Sequence, residues 1–393
     1  MMIPELRHAF NQNFSKEKHQ ELVAKIEEKA SMPLAFKLSE SPIFLPQSFR
    51  EKVMEASEAI IAQIQALPEA TLQTAIPDNF RTANDTKIPH FLIFDFGICQ
   101  DENQEVTPQL IELQAFPSLF AFMKIQQETY GEIYPFLKEL NDSIPFERYF
   151  SELKQLIVGN CPTENVVLME IYPEKQKTAI DFRFTEKMLG ISTVCISKIQ
   201  KKGKKLYFEK NEQLIPIHRI YNRVILEELA NYPDLPLNFD WKEDLDVEWI
   251  THPNWFFKVS KFLLPKLKHP FIPTTYFLDE FPSTENLSDY VLKPLYSFAG
   301  KGVNLHPDQN AIDEIQDKTQ YILQKRKDYA AIFEDVEGHF SKAELRMMFI
   351  WHPEKEKPEY WMNLVRMTKS DKANMDQTAD EQLWTGCSCA YFH

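Results

Sequence analysis

Tyr290-Val-Leu-Lys-Pro-Leu-Tyr-Ser-Phe-Ala-Gly-Lys-Gly-Val303 reads as strand, loop, strand, and the rest of the chain is organised around it. Val291 and Leu292 lead an apolar run into Lys293. Ser297 to Gly302 then bring small residues and two glycines before Val303 and Leu305 resume the alternation. Glycine permits dihedrals and close approaches that a Cβ blocks, so such a loop can lay backbone N–H groups against phosphate oxygens while a neighbouring ammonium neutralises charge. An ordinary β-hairpin with a solvated lysine has the same pattern, and both readings stay open here. The whole chain holds only nine glycines, so two in one loop carry information.

Working outward, 393 residues that are 44% hydrophobic and 13% aromatic describe a globular protein of two or three domains. Lys and Arg total 44 against 58 Asp and Glu, a net charge of −14. That balance gives no general attraction to nucleic acid or to an anionic membrane, so a polyanionic ligand needs a local basic site. The opening Met-Met-Ile-Pro-Glu-Leu-Arg-His lacks the apolar centre of a signal peptide, and no run approaches the roughly 18 apolar residues of a membrane span. A cytoplasmic location is expected. Five scattered cysteines suggest no disulfide framework, and Cys387-Ser-Cys389 lacks the second pair or histidines of a structural metal site.

Residues 1–88 carry helical periodicity, with one helix expected over Phe10–Lys29 and another over Phe49–Leu67. Pro89-His-Phe-Leu-Ile-Phe-Asp-Phe96 and Gln109-Leu-Ile-Glu-Leu-Gln114 read as two strands of a hairpin with a long polar loop. Alternation puts Glu112 and Gln114 on one face, where Asp95 of the partner strand can join them. Three such oxygen-bearing side chains suit Mg²⁺, and equally the solvated face of an antiparallel sheet. A helical region to about Gly159 follows.

From Asn165 a strand, a helix ending at Gly190 and a second strand over Ile191–Ile196 make a βαβ unit. Arg219 and Arg223 lie beyond a further strand, where ligands collect in α/β sheets. Lys201-Lys-Gly-Lys-Lys205 reads as a solvated basic turn. The segment Phe256–Leu267 is helix-like, Gln320–Gln324 is a strand, and Ala343–Ile350 and Tyr360–Arg366 are strands that set Arg346 and Arg366 among apolar residues. Buried arginines require partners.

This order of pieces resembles the ATP-grasp superfamily, and within it the circularly permuted branch that includes the synthetase half of glutathionylspermidine synthase. Tyr290–Val303 is similar to the phosphate-binding strand and mobile glycine-containing loop. The resemblance makes Lys293 the nucleotide lysine, Ser297, Phe298, Ala299, Gly300, Lys301 and Gly302 the loop over the phosphates, and Lys258 the second phosphate lysine. Tyr321–Gln324 is similar to the hinge strand whose backbone receives adenine, with Gln324 at its end. Glu344-Leu-Arg346 resembles the acidic-x-Arg strand, and Arg366 with Asn374 the Arg and Asn pair of glutathione synthetases. Leu110-Ile-Glu-Leu-Gln-Ala-Phe-Pro-Ser118, about 250 residues before the family's usual place for it, looks like the metal-binding strand, so Asp95, Glu112 and Gln114 become the implied Mg²⁺ ligands. Gln114 stands where the family has Asn.

The resemblance implies a mixed α+β and α/β architecture. It comprises an N-terminal helical region (1–88), a permuted part of the ATP-grasp domain with the metal-site hairpin (89–160), a Rossmann-like pre-ATP-grasp domain (161–250) and the nucleotide-binding subdomains (251–393). It implies ATP and Mg²⁺ as cofactors, and an ADP-forming ligase that joins a small-molecule carboxylate to an amine or thiol through an acyl phosphate. Positioning and charge neutralisation dominate phosphoryl transfer, and Arg346, Arg366 and Asn374 are the implied catalytic set. A catalytically inactive nucleotide- or partner-binding relative and a phosphotransferase are the alternatives. No nucleic-acid or membrane partner is expected, and the sequence leaves the oligomeric state open.

Overall fold

The computed structural model describes residues 3–140, 143–297, 300–370 and 382–393. Four helices precede the first long strand: α1 (Pro4–Asn13), α2 (Lys16–Ala30), α3 (Gln47–Ala66) and the short α4 (Glu69–Gln73). The single helix expected over 10–29 is split because Phe14 and Ser15 are extended and the Ser15 hydroxyl accepts a hydrogen bond from Lys18 N–H, starting a new helix. Between α2 and α3 runs β1 (Ile43–Leu45). Phe10, Leu22, Ile26, Phe49, Val53 and Ile60 are fully buried in the same hydrophobic core as the main sheet.

That sheet starts with the expected hairpin, β2 (Phe91–Gln100) and β3 (Val106–Gln114). Helix α5 (Phe120–Ile133) follows, its first N–H groups capped from a distance by the Asp181 carboxylate, which accepts from Leu119 and Phe122 N–H. The βαβ unit is β4 (Val166–Glu170), α7 (Ala179–Leu189) and β5 (Ser192–Cys195). With β9 (Arg219–Asn222) and β10 (Glu248–Ile250) it forms a parallel sheet in the order β10-β9-β4-β5. A small antiparallel meander of β6 (Gln200–Lys202), β7 (Lys205–Lys210) and β8 (Gln213–Ile217) is inserted between β5 and β9. Lys201 and Lys204 at its turn pair with Glu243 and Asp244 on the surface.

Phe256–Leu267 is not one helix. Helix α8 (Asn254–Lys258) stops at Val259, Ser260 is extended, and the Ser260 hydroxyl accepts from Phe262 N–H to open a separate 3₁₀ segment, Lys261–Lys266. Pro265, which lacks an N–H, sits inside that tighter segment. The next sheet is antiparallel, β11-β13-β12, built from β11 (Thr275–Phe277), β12 (Tyr290–Pro294) and β13 (Tyr321–Lys325). It has its own small core of Leu278, Tyr290, Leu292, Ile312 and Leu323.

Beyond the short β14 (Phe333–Glu334), β15 (Phe340–Ile350) and β16 (Glu359–Thr368) return to the first hairpin. The main sheet runs β17-β16-β15-β2-β3, where β17 is Gly386–Ser388, and β18 (Ala390–Phe392) pairs in parallel with β1. The hairpins at 91–114 and 340–368 thus share one antiparallel sheet, with Arg346 opposite Asp95 and Glu344 opposite Gly97. No helix among the described residues is long and apolar enough to cross a membrane.

Candidate functional site: a cationic cavity between two sheets

Where β12 and β13 face β3, β15 and β16, a cavity of about 340 Å³ opens, large enough for a small-molecule ligand. Lys261, Lys293, Lys325, Arg326, Lys327, Lys342 and Arg366 line it, against the carboxylates Glu112, Asp328 and Glu344. An excess of cations is concentrated here in a chain whose net charge is −14.

Lys293 projects from β12. It is 7% exposed, and its ammonium donates to Gln324 Oε1 at 2.5 Å and to the Ile111 carbonyl at 3.0 Å. Burial holds its pKa down to about 8. Gln324 is itself buried and donates from Nε2 to the Leu110 carbonyl at 3.1 Å, so it braces β13 against β3 rather than offering its side chain to a ligand. Lys261 reaches in from the 3₁₀ segment and joins two walls, contacting Glu112 Oε1 at 2.7 Å and the Ser297 carbonyl at 2.6 Å. Ser297 and Gly300 border the cavity. Gly302 has a φ of +75°, and a Cβ there would lie 2.8 Å from Pro294 Cγ, so glycine is required on both counts. Lys301 is exposed beside them, while Phe298 and Ala299 lie outside the described residues, as does Asn374.

The geometry places several of the expected residues away from the cavity. Lys258, three residues before Lys261, turns the other way: it is 1% exposed, stacks on Trp255 and pairs with Glu69 and Asp85 at 2.7 Å each. The break at Val259–Ser260 separates the two lysines, and only Lys261 lines the cavity. Asp95 lies beneath the cavity wall, 1% exposed, and is claimed by two guanidiniums. Arg346 donates Nε–H and Nη2–H to its two oxygens at 2.7 Å each, and Arg366 adds a third bond at 2.6 Å. Burial alone would raise the Asp95 carboxyl, but Arg346 and Arg366 outweigh it and hold it below the ordinary range. Asp95 and Arg346 are thus paired with each other beneath the cavity. Gln114 stands opposite Ile93 at the end of β3 and does not line the cavity. Arg219 and Arg223 are likewise engaged, the former with Glu248 and the Leu156 carbonyl, the latter buried with Asp181.

Among the described residues no group of three or more His, Cys, Asp or Glu side chains is placed to hold a metal. The strands contribute two carboxylates to the cavity, Glu112 and Glu344. Burial raises the Glu344 carboxyl, and its Oε2 accepts a hydrogen bond from the Tyr329 hydroxyl at 2.8 Å while Oε1 meets Arg366. Two carboxylates fit Mg²⁺ where a ligand's phosphate oxygens and water complete the shell. Sequence reasoning had singled out neither Lys261, Lys342 nor the Lys325-Arg326-Lys327 run; the run's position directly after a strand was the available signal.

No protein-family model matches this sequence, and no curated protein matches it. Among solved structures, a glutathione synthetase-like effector from Globodera pallida, in its apo form, superposes on 96% of this chain and 96% of its own, with a TM-score of 0.58. The fold is glutathione synthetase-like. At 11% sequence identity the likeness is one of fold and carries no residue across. The chemistry of the cavity therefore rests on this chain's own side chains.

Proposed function

We propose that this chain binds ATP in the cavity between β12–β13 and β15–β16 and uses it to join a small-molecule carboxylate to an amine or thiol, releasing ADP. The observation that carries the proposal is the cavity's excess of Lys and Arg in an acidic chain, which suits a polyphosphate. In this reading Lys261 and Lys293 neutralise phosphate charge, and Gly300, which lines the cavity, offers its backbone N–H to the phosphates. The main-chain groups after Gln324 face the base, and Arg366 stabilises charge that develops on the transferred phosphoryl group. Glu112 and Glu344 are the residues that would hold Mg²⁺, which supplies charge neutralisation between phosphates when bound. The pairing of β2 with β15 supports a circularly permuted ATP-grasp topology, with the parallel sheet in the place of the pre-ATP-grasp domain.

Calorimetry with ATP, ADP and adenosine tests the binding. Affinity should rise steeply with phosphate number, and equal affinities would refute the phosphate role. ADP release with a panel of carboxylates, each offered with amines and thiols, then tests ligation. A second reading, a nucleotide binder without catalysis, is favoured by one observation: Asp95 is sequestered by two arginines and Gln114 is off the cavity, so two of the three expected metal contacts are missing. Tight binding with no turnover across the panel would select it.

A further inference from the structure

We propose that Tyr329 is a positioning residue for this site, seated in the space left by Gly97 so that its hydroxyl holds the Glu344 carboxylate turned toward the cavity and a nucleotide-borne divalent cation. The proposal rests on the nucleotide reading above. Gly97 lies in the interior of β2, a central strand, where glycine weakens pairing and usually marks a close approach by another group. Here the approaching group is the tyrosine ring: a Cβ on Gly97 would lie 2.4 Å from Tyr329 Cε1 and 2.9 Å from Cδ1. No side chain fits there while the ring is in place.

Gly97 is also the cross-strand partner of Glu344 on β15, so the gap opens beside the carboxylate. The ring is delivered by its own backbone. Tyr329 bridges Cys99 of β2, and Ala330 N–H donates to the Ile98 carbonyl at 2.8 Å, which stitches the connection after β13 to the main sheet. From that fixed point the hydroxyl donates to Glu344 Oε2 at 2.8 Å. Oε1 is held by Arg366, which is shared with Asp95. Arg366 and the tyrosine hydroxyl thus hold one Glu344 oxygen each. A carboxylate has about four lone-pair sites, so two hydrogen bonds still leave it able to meet a cation. Groups that orient a metal ligand in this way typically cost 10–100-fold in metal affinity when removed.

The test uses the full chain, Mn²⁺ as a spin-active probe and a non-hydrolysable ATP analogue. Free Mn²⁺ is read by electron paramagnetic resonance, and analogue binding is measured separately in EDTA. Tyr329→Phe keeps the ring and removes the hydroxyl. Its Mn²⁺ affinity in the presence of the analogue should fall ~10-fold, with metal-free analogue binding unchanged. Gly97→Ala, which keeps the hydroxyl but displaces the ring, should show the same metal defect. Wild-type Mn²⁺ affinity in Tyr329→Phe overturns the proposal, as does an equal loss of metal-free analogue binding, which would mark a merely structural tyrosine. If the wild-type chain binds no analogue, the nucleotide reading itself fails and takes this one with it.

Discussion

Asp95 and Arg346 stand 251 positions apart in sequence and meet directly across neighbouring strands, both carboxylate oxygens bonded to one guanidinium. Removing the acid leaves Arg346 and half of the Arg366 contacts buried without an anion. Asp95→Ala should therefore lower stability by about 3–5 kcal/mol, the usual cost of breaking one side of a buried pair. Urea unfolding measures it. A loss well under 1 kcal/mol would mean that the pair is solvated.

Lys261 and Lys258 make a matched comparison, since both are buried amines three residues apart and only one faces the cavity. Lys261→Met should weaken ATP binding about ten- to hundredfold, a charge-assisted contact of roughly 1.5–3 kcal/mol, and leave adenosine binding intact. Lys258→Met should lower the melting temperature through its lost pairs with Glu69 and Asp85 and leave nucleotide affinity at the wild-type value. The opposite pattern by calorimetry would reverse the assignment of the two lysines.

The Lys293 amine gives nucleotide binding a pH signature. Burial sets its pKa at about 8 in the free protein, whereas phosphate oxygens favour the charged form and raise the pKa on binding. Between about pH 8 and the ordinary lysine range near ~10.4, binding must take up a proton, so affinity falls as pH rises. Well below pH 8 the amine is charged in both states and this dependence vanishes. Calorimetry at pH 8.5, in buffers of different ionisation heat, should register proton uptake that Lys293→Met abolishes. Unchanged uptake in the variant would assign the proton elsewhere.

The thiols report on burial rather than metal binding. Burial pushes Cys99 and Cys387 up to about 12, and Cys389 is also buried, whereas Cys161 and Cys195 are half-buried. Ellman's reagent should modify Cys161 and Cys195 in the native protein, and all five cysteines once guanidinium is added. Rapid native labelling of Cys387 or Cys389 would show the C-terminal strand pair to be open.

Much of the fold was legible because alternation and proline punctuation mark the strands locally. Phe91–Phe96, Leu110–Gln114, Val166–Glu170 and Met347–Ile350 are apolar runs that no helix period explains. Of the residues the sequence singles out, Lys293 and Gly300 do line the cavity. Lys258 lies off the cavity because the break at Val259–Ser260 re-aims everything after it, and local propensity does not fix such breaks. The pairing of Asp95 was not legible because alternation says which face a carboxylate takes, not whether two arginines from distant strands already hold it. Tyr329 was invisible for a related reason: its meaning depends on Gly97, which lies in another part of the chain.

The placement of β2 in the middle of the main sheet has a consequence during synthesis. The β2–β3 hairpin leaves the ribosome roughly 230 residues before β15 exists, so at about 5–20 residues per second its apolar edge waits some ten to fifty seconds for a partner. During that interval Phe91, Ile93 and Phe94 present an unpaired strand to other nascent chains. Slower translation lengthens that exposure instead of relieving it.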